Sequence, residues 1–135
     1  LRDDGIRRVL RLTPSIAPYK IVLLRVYAKL VPETIYNDLR KQIRKAKIAH
    51  ICDDSGVSIG KRYARNDEIG IPFAITLDGD TVTNGTVTLR ERDSTKQIKL
   101  SFKEAIKEVR AMVEEEETWD TVFPRYPAVQ VADAE

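Results

Sequence analysis

The feature that most constrains the fold is the alternation of apolar runs with segments of helical periodicity. Lys20 to Val26 forms an apolar, β-branched run typical of a central buried strand. From Ile35 to Ala46, apolar residues recur at helical spacing, and the basic residues fall largely on other faces. Ile48 to Cys52 is then a second short strand. Because strands joined by a helical crossover pair in parallel, this part of the chain predicts a parallel β-α-β unit.

The middle of the chain carries clear start and stop signals. Ser58 is suited to cap a helix that runs to about Ile69, with Gly70 just beyond its end. Pro72 opens a strand, and the stretch from Asp78 to Gly85 is predicted to be a polar turn containing Asn84–Gly85, a favoured hairpin pair.

Two more strands and a helix complete the pattern. The strands are predicted at Thr86 to Glu91 and Lys96 to Leu100. Ser101 and Glu104 form a capping box ahead of the most regular helix of the chain, which ends at an acidic run.

The resulting order, β-α-β-α-β-β-β-α, predicts an α/β fold with one mixed, five-stranded sheet flanked by three helices. We divide the 135 residues into a linker over 1–13, one domain over 14–127 and a C-terminal tail over 128–135. The first residue is Leu1 and not Met, so we expect a fragment of a longer protein.

Composition narrows the class of function. The chain is 42% hydrophobic and 33% charged, and no apolar run approaches the roughly 18 residues of a membrane span. Residues 1–65 hold 15 Lys and Arg against 6 Asp and Glu, whereas residues 66–135 hold 8 against 15. A basic half on a nearly neutral chain suggests a polyanionic partner, although solvated helix faces would give the same count.

Two motifs hint at other chemistry. His50 and Cys52 lie two apart in a strand and point the same way, so a Cys–His dyad or half of a metal site is conceivable. No further His or Cys exists to complete it, and packing in the core is the default. The segment GVSIGKR, Gly56 to Arg62, lies where a phosphate loop would lie, but its spacing is one residue short and no Ser or Thr follows Lys61. We therefore predict neither a metal site nor a triphosphate site.

The best recognition candidate is the strand that ends in Arg90, Arg92 and Asp93. Both arginines share a face, opposite to the apolar one, and a guanidinium can donate bidentately or stack on a base. A charged, solvent-facing strand is the alternative. Asp67 and Glu68 oppose the dipole at their helix end, and we interpret them as ion-pair partners of nearby arginines.

Two long strings carry a resemblance to a known family. They are DDSGVSIGKRYARNDEIGIPFAITLD, Asp53 to Asp78, and GTVTLRERDSTKQIKL, Gly85 to Leu100. Together they resemble the C-terminal anticodon-binding domain of eukaryote- and archaea-type glycyl-tRNA synthetases, which are class II enzymes. The approach IAPYKIVLL and the tail string TWDTVFPRYP are similar to the same family. The resemblance covers roughly residues 14–127.

The resemblance implies a five-stranded mixed sheet with three helices. It also implies docking of the anticodon stem-loop of tRNA-Gly, while a separate catalytic domain attaches glycine with ATP and Mg²⁺. We expect that domain to be absent here, so that the fragment is not catalytic and binds no cofactor. The parent enzyme is expected to be a homodimer, cytoplasmic or mitochondrial, and the fragment is expected to be a monomer.

The resemblance also assigns roles to residues. It places Arg90 against an anticodon base, with Arg92 and Asp93 as neighbours and Thr81 as a less secure contact. From charge alone we expect contacts with the RNA backbone from a further group: Lys61, Arg62 and Arg65.

The main alternative keeps the fold and changes the role. An anticodon-binding-like module can be recruited as a nucleic-acid or dimerisation platform in another protein. A small stand-alone enzyme is the other alternative, although no catalytic triad or paired-carboxylate signature is present.

Overall fold

The computed structural model describes residues 2–3 and 8–130. Its strands are β1 Arg2–Asp3, β2 Arg8–Val9, β3 Ile21–Arg25, β4 His50–Cys52, β5 Phe73–Leu77, β6 Thr86–Glu91 and β7 Gln97–Ser101. Its α-helices are α1 Glu33–Lys45, α2 Ile59–Glu68, α3 Gly79–Asn84, α4 Phe102–Val113 and α5 Trp119–Val122. Single 3-10 turns lie at Ala28–Leu30 and Phe123–Arg125.

The main sheet has five strands in the order β4-β3-β5-β6-β7. β3 lies in the middle of the parallel part and pairs with both β4 and β5. β5, β6 and β7 then pair antiparallel. The predicted mixed, five-stranded sheet is therefore confirmed, with its two helical crossovers joining the parallel strands.

Helices cover both faces of the sheet. α1 and α4 pack on one face, where the largest apolar cluster includes Ile43, Leu89 and Val109, all fully buried. α2 lies on the other face, over a small cluster that includes Val22, Leu24 and Ala74. The two crossovers thus place α1 and α2 on opposite sides, as right-handed connections running to opposite neighbours of β3 require.

The predicted helix signals are confirmed where they are local. Ser58 Oγ accepts from the Lys61 backbone N–H at 3.3 Å, and α2 ends next to Gly70, whose φ of +90° suits a residue without a side chain. Ser101 Oγ and the Glu104 carboxylate close the capping box ahead of α4, at 3.1 and 3.0 Å.

The stretch after β5 differs from the prediction. Residues 79–84 form the short helix α3, and Gly85 at φ +71° is its C-cap instead of part of a hairpin turn. The Asp78 side chain accepts from the Asp80 N–H, and the Thr81 hydroxyl accepts from the Asp78 N–H, which closes a capping box. We did not recognise the capping pair of Asp78 and Thr81 in the sequence, because the Asn84–Gly85 pair favoured a hairpin turn.

Both ends of the described chain pack against the domain. Val9, which we assigned to the linker, is fully buried, and the Leu10 N–H donates to the Asp67 carbonyl at 3.1 Å. At the other end, the Lys99 and Gln97 backbones of β7 pair with Pro127 and Val129. The part of the predicted tail over 128–130 therefore extends the sheet edge, whereas residues 131–135 lie outside the described residues.

The string that closes the family resemblance is anchored by one buried acid. Glu108 of α4, which is 2% exposed, accepts from the Tyr126 hydroxyl at 2.7 Å and from Arg125 at 3.3 Å. Such charge-assisted bonds fix the tail against α4. No helix in the described part of the chain is both long enough and apolar enough to cross a membrane.

Candidate nucleic-acid interface

The carboxyl ends of the three parallel strands meet at one edge of the sheet. β3 leads into the loop at 26–32, β4 into the loop at 53–58, and β5 into α3. In open α/β sheets, ligands bind in the crevice outside these ends, where the connections diverge to opposite faces. The fold therefore points to this edge, which we call the carboxyl edge, before any side chain is considered.

A cavity of about 640 Å³ opens at the carboxyl edge between the first two loops. Its wall includes Tyr27 and Lys29 from one loop, and Asp54 and Val57 from the other. The Tyr27 side chain is 65% exposed, which leaves its ring free to stack on a planar group. Lys29 is also exposed, and it forms no ion pair with another described residue.

Arg62 forms the floor of this cavity and is buried, whereas we expected it at the surface. Its side chain is 4% exposed and donates to three backbone carbonyls: Arg25 at 2.8 Å, Asp53 at 3.1 Å and Val26 at 3.3 Å. These bonds tie both loops to α2. The guanidinium is enclosed and donates to carbonyls of the chain itself, so these bonds would compete with the predicted contact to an RNA phosphate, which stays a prediction.

Arg25 joins the same two loops from the sheet side. Its guanidinium pairs with both carboxylate oxygens of Asp54, reaches Glu33 at 3.2 Å, and lies 4.1 Å over the Tyr36 ring. The Asp54 side chain nevertheless keeps 39% of its surface exposed. Arg25 thus orients the Asp54 carboxylate from the sheet side, and the exposed part of the carboxylate can accept hydrogen bonds from a ligand.

Arg65 keeps the second loop in place while it remains exposed. It donates to both oxygens of Asp53, at 2.9 and 2.6 Å, and also to Ser55. Burial by itself would raise the pKa of Asp53, but the hydrogen bonds from Arg65 and Asn66 lower it to about 2. Arg65 and the exposed Lys61 thus remain available at the surface for a backbone phosphate.

The arginines of β6 lie in a different environment from the one that we expected. Arg90 is 6% exposed, donates to both oxygens of the buried Asp67 at 2.9 and 3.0 Å, and lies 4.5 Å over the Tyr63 ring. The Tyr63 hydroxyl is in turn 2.8 Å from the Thr76 hydroxyl. This layer between α2 and the sheet, which we call the buried arginine layer, satisfies the guanidinium from inside the protein.

Arg92 belongs to the same layer. It is 2% exposed and donates to the Gly70 carbonyl at 2.9 Å, to the Leu12 carbonyl at 2.6 Å and to Asp93 at 2.9 Å. The Asp93 carboxylate also forms an ion pair with Arg11, at 3.3 Å. The two arginines do share one polar face, as predicted, but α2 and the segment at 8–12 cover it. Their direct contact with a base stays a prediction, and this cover disfavours it.

Two further expectations are clarified by the geometry. Asp67 was expected to pair with arginines of its own helix, and its partner is instead Arg90 of β6. Thr81 is 7% exposed and its hydroxyl accepts from the Asp78 N–H in the cap of α3, and its base contact stays a prediction. The two strings that carry the family resemblance are therefore in contact with each other, through Asp67 and Arg90.

His50 and Cys52 are side chains of β4, and no described residue completes a metal site with them. Burial, followed by the charges of Arg40 and Arg44, lowers the pKa of His50 below its usual value. Among the residues that the structure describes, no group of three or more His, Cys, Asp or Glu is placed to hold a metal ion.

The carboxyl-edge residues missed from the sequence are Tyr27, Lys29 and Asp54. A usable signal existed, since Tyr27 follows a buried strand almost directly, where α/β sheets place their ligands. The sequence alone does not give the order of the strands in the sheet, and that order decides which loops lie side by side.

Comparison with known proteins agrees with this architecture. Residues 21–112 match the anticodon binding domain family. The chain is 45% identical over 120 residues to glycine–tRNA ligase 1, mitochondrial, of Saccharomyces cerevisiae, covering 87% of this chain and 17% of that protein. It is 43% identical over 106 residues to the glycine–tRNA ligase of Clostridium kluyveri, covering 77% and 22%. This chain thus spans about a fifth of the length of these relatives.

Solved structures support the fold alone. Prolyl-tRNA synthetase from Cryptosporidium parvum superposes with a TM-score of 0.70 at 20% identity, over 79% of this chain and 24% of that one. The RNA binding domain of threonyl-tRNA synthetase from the same organism gives 0.67 at 18% identity, over 76% and 25%. From its fold and its sequence, the chain belongs to the anticodon-binding domain family, and its sequence is similar to the corresponding part of glycine–tRNA ligases.

Proposed function

We propose that this chain is the anticodon-recognition domain of a glycine–tRNA ligase and that it binds the anticodon stem-loop of tRNA-Gly at the carboxyl edge. One observation carries the proposal. In a member of the anticodon-binding domain family, the cavity between the loops at 26–32 and 53–58 combines an exposed aromatic ring, an oriented carboxylate and a lysine that pairs with no acid of the described residues. Single-stranded RNA bases are recognised by this combination of stacking and edge hydrogen bonds.

The chemistry of the cavity fits the bases of a glycine anticodon. Glycine codons begin with GG, so the last two anticodon bases are both cytosine. Cytosine presents an amino donor together with acceptors on its pairing edge. The Asp54 carboxylate can accept the amino hydrogens, Lys29 can donate to the acceptors, and Tyr27 offers a stacking surface.

The other predicted site residues receive supporting roles in this proposal. Lys61 and Arg65 lie at the surface beside the cavity and bind the RNA backbone. Arg62 and the pair of Arg90 with Asp67 act as positioning residues, because they hold α2 and the two loops in place. Their effect on RNA binding is indirect.

For the whole protein we propose the ligation of glycine to tRNA-Gly with ATP and Mg²⁺. That reaction belongs to a catalytic domain outside this chain, while this chain selects the tRNA and does not itself attach glycine. A homodimeric, cytoplasmic or mitochondrial parent enzyme is part of the same proposal.

The test is the discrimination between loops by the wild-type domain. Fluorescence anisotropy is measured with a labelled tRNA-Gly anticodon stem-loop and with loops in which each of the two cytosines is replaced in turn. We expect weak binding of the cognate loop and a loss of about 1–3 kcal/mol for each replacement. Equal affinity for all loops would overturn base recognition and favour a recruited, sequence-independent platform.

A further inference from the structure

The second half of α1 carries a positively charged surface that the proposed base site does not use. It consists of four residues of α1 and one just beyond its end, which we call the α1 basic strip: Arg40, Lys41, Arg44, Lys45 and Lys47. Arg40 is half-buried and the other four are exposed. None of the five forms an ion pair with another described residue. The strip therefore presents charge that the described chain leaves unneutralised.

The acids of α1 itself are engaged elsewhere. Glu33 lies at the start of the helix and pairs with Arg25. Asp38 accepts a hydrogen bond from Gln42 Nε2 at 2.9 Å. Cations in the last turn of a helix complement its dipole, but a pair such as Arg44 and Lys45 is sufficient for that purpose. The other three cations of the strip are therefore not required to complement the helix dipole.

The fold places the strip away from the carboxyl edge. α1 begins just after the loop at 26–32 and returns the chain to the start of β4, so that its basic half lies towards the opposite edge of the sheet. Thirteen residues of helix span about 20 Å. A ligand bound at the carboxyl edge would have to extend along α1 to reach the strip.

α4 continues the same basic surface. A groove of about 370 Å³ lies between the two helices, and its lining includes Lys45 from α1 and Lys103 from α4. Lys103 and the next basic residue one turn later, Lys107, are both exposed. The positive charge therefore covers two neighbouring helices and is not a single solvated stripe.

We propose that the α1 basic strip binds the phosphates of an RNA duplex, namely the stem whose loop is read at the carboxyl edge. The inference rests on the proposed function and adds a second, sequence-independent surface to it. A duplex presents dense rows of phosphates, and neutralising them with Lys and Arg releases counterions and fixes orientation without reading bases. The base site then selects the loop, while the strip aligns the stem.

The experiment compares two variants that each remove two positive charges. Arg44→Gln/Lys45→Gln disrupts the strip. The control, Lys99→Gln/Arg110→Gln, removes cations that already pair with Asp80 and Glu114. Three RNA probes are used: the tRNA-Gly anticodon stem-loop, the same stem closed by an unrelated four-base loop, and the anticodon loop as a seven-base single strand. Thermal unfolding checks that both variants fold as the wild type does.

The strip variant should lose on the order of tenfold in affinity for both stem-bearing probes and keep its affinity for the single strand. Its slope of log K against log salt should flatten by about 1 to 2 relative to the wild type. The control should change all three affinities only slightly. Equal losses for the strip variant and the control would overturn the inference, and so would binding of anionic lipid vesicles through the strip with no binding of either stem.

The design separates this inference from the proposed function. If the wild type fails to prefer the cognate loop but binds both stems through the strip, base recognition is wrong and the duplex surface stands. If it prefers the cognate loop and the strip variant binds as the control does, the proposed function stands and the strip is overturned. Binding of no probe at all contradicts both.

Discussion

The buried arginine layer and the carboxyl edge flank the same helix, α2, yet they use charged residues in opposite ways. Inside, Arg90 and Arg92 donate to Asp67, Asp93 and backbone carbonyls, at 6% and 2% exposure. At the carboxyl edge, Lys29 and Lys61 extend into solvent. In this domain Arg90 and Arg92 are committed to contacts within the fold, whereas the carboxyl edge presents exposed cations to solvent.

The energetic reason for the difference is desolvation. A buried guanidinium is tolerated only when its donors are satisfied, and the layer satisfies Arg90 with a bidentate carboxylate and an aromatic face. A guanidinium enclosed in this way presents little surface to a base. Any result that gives a buried arginine a direct role in RNA binding would therefore contradict this difference between the two regions.

The largest expected effect is on stability, at Arg90. Arg90→Met removes the bidentate pair with the buried Asp67 carboxylate, which should cost about 3–5 kcal/mol of unfolding free energy and lower Tm by about 10–25 °C. Arg90→Met/Asp67→Leu should recover much of this loss, because both members of the buried pair are then replaced by apolar side chains. Urea and thermal unfolding measure both. A single variant as stable as the wild type that fails only to bind the cognate loop would make Arg90 a direct reader.

The next effect is on binding, at Tyr27. Tyr27→Ala should reduce affinity for the anticodon loop by about 1–3 kcal/mol through lost stacking, with stability within about 0.5 kcal/mol of the wild type. Tyr19, another exposed tyrosine outside the cavity, provides the matched control as Tyr19→Ala. Anisotropy with the stem-loop and the single-stranded loop measures both variants. Equal behaviour of the two variants would remove Tyr27 from the site.

A smaller effect concerns the loop at 53–58 and depends on pH. Because the pKa of Asp53 falls from 3.8 to about 2 on folding, its contribution is complete above pH 4 and is lost as the pH falls towards 2. We expect Asp53→Asn to lower the free energy of unfolding by about 1–2 kcal/mol at pH 6, after allowance for solvent around the exposed Arg65. The gap should close near pH 2 in urea unfolding. A gap that stays constant with pH would contradict the ion pair.

The smallest effect is expected at Lys61. Lys61→Gln should weaken cognate and altered loops alike, by less than about 1 kcal/mol, and flatten the salt slope by about 0.7 to 0.9. Lys61→Arg preserves the charge and should bind as the wild type does. A loss confined to one anticodon in a salt titration would show that Lys61 reads a base.

The sequence by itself determined the local elements and the family of this protein. Apolar periodicity, the cap at Ser58, the capping box at Ser101 and the glycine after α2 all act within a few residues, so that each element could be predicted from its own segment. The short helix α3 was missed because two local signals competed over the same eight residues.

Only the tertiary structure decided which polar residues meet solvent. The pattern of β6 correctly placed Arg90 and Arg92 on one face, but exposure depends on what covers that face, and the cover comes from α2 and residues 8–12, distant in sequence. In the same way, Tyr27 and Asp54 become neighbours only because β3 and β4 lie side by side. Burial and loop adjacency are properties of the assembled sheet, which no single segment contains.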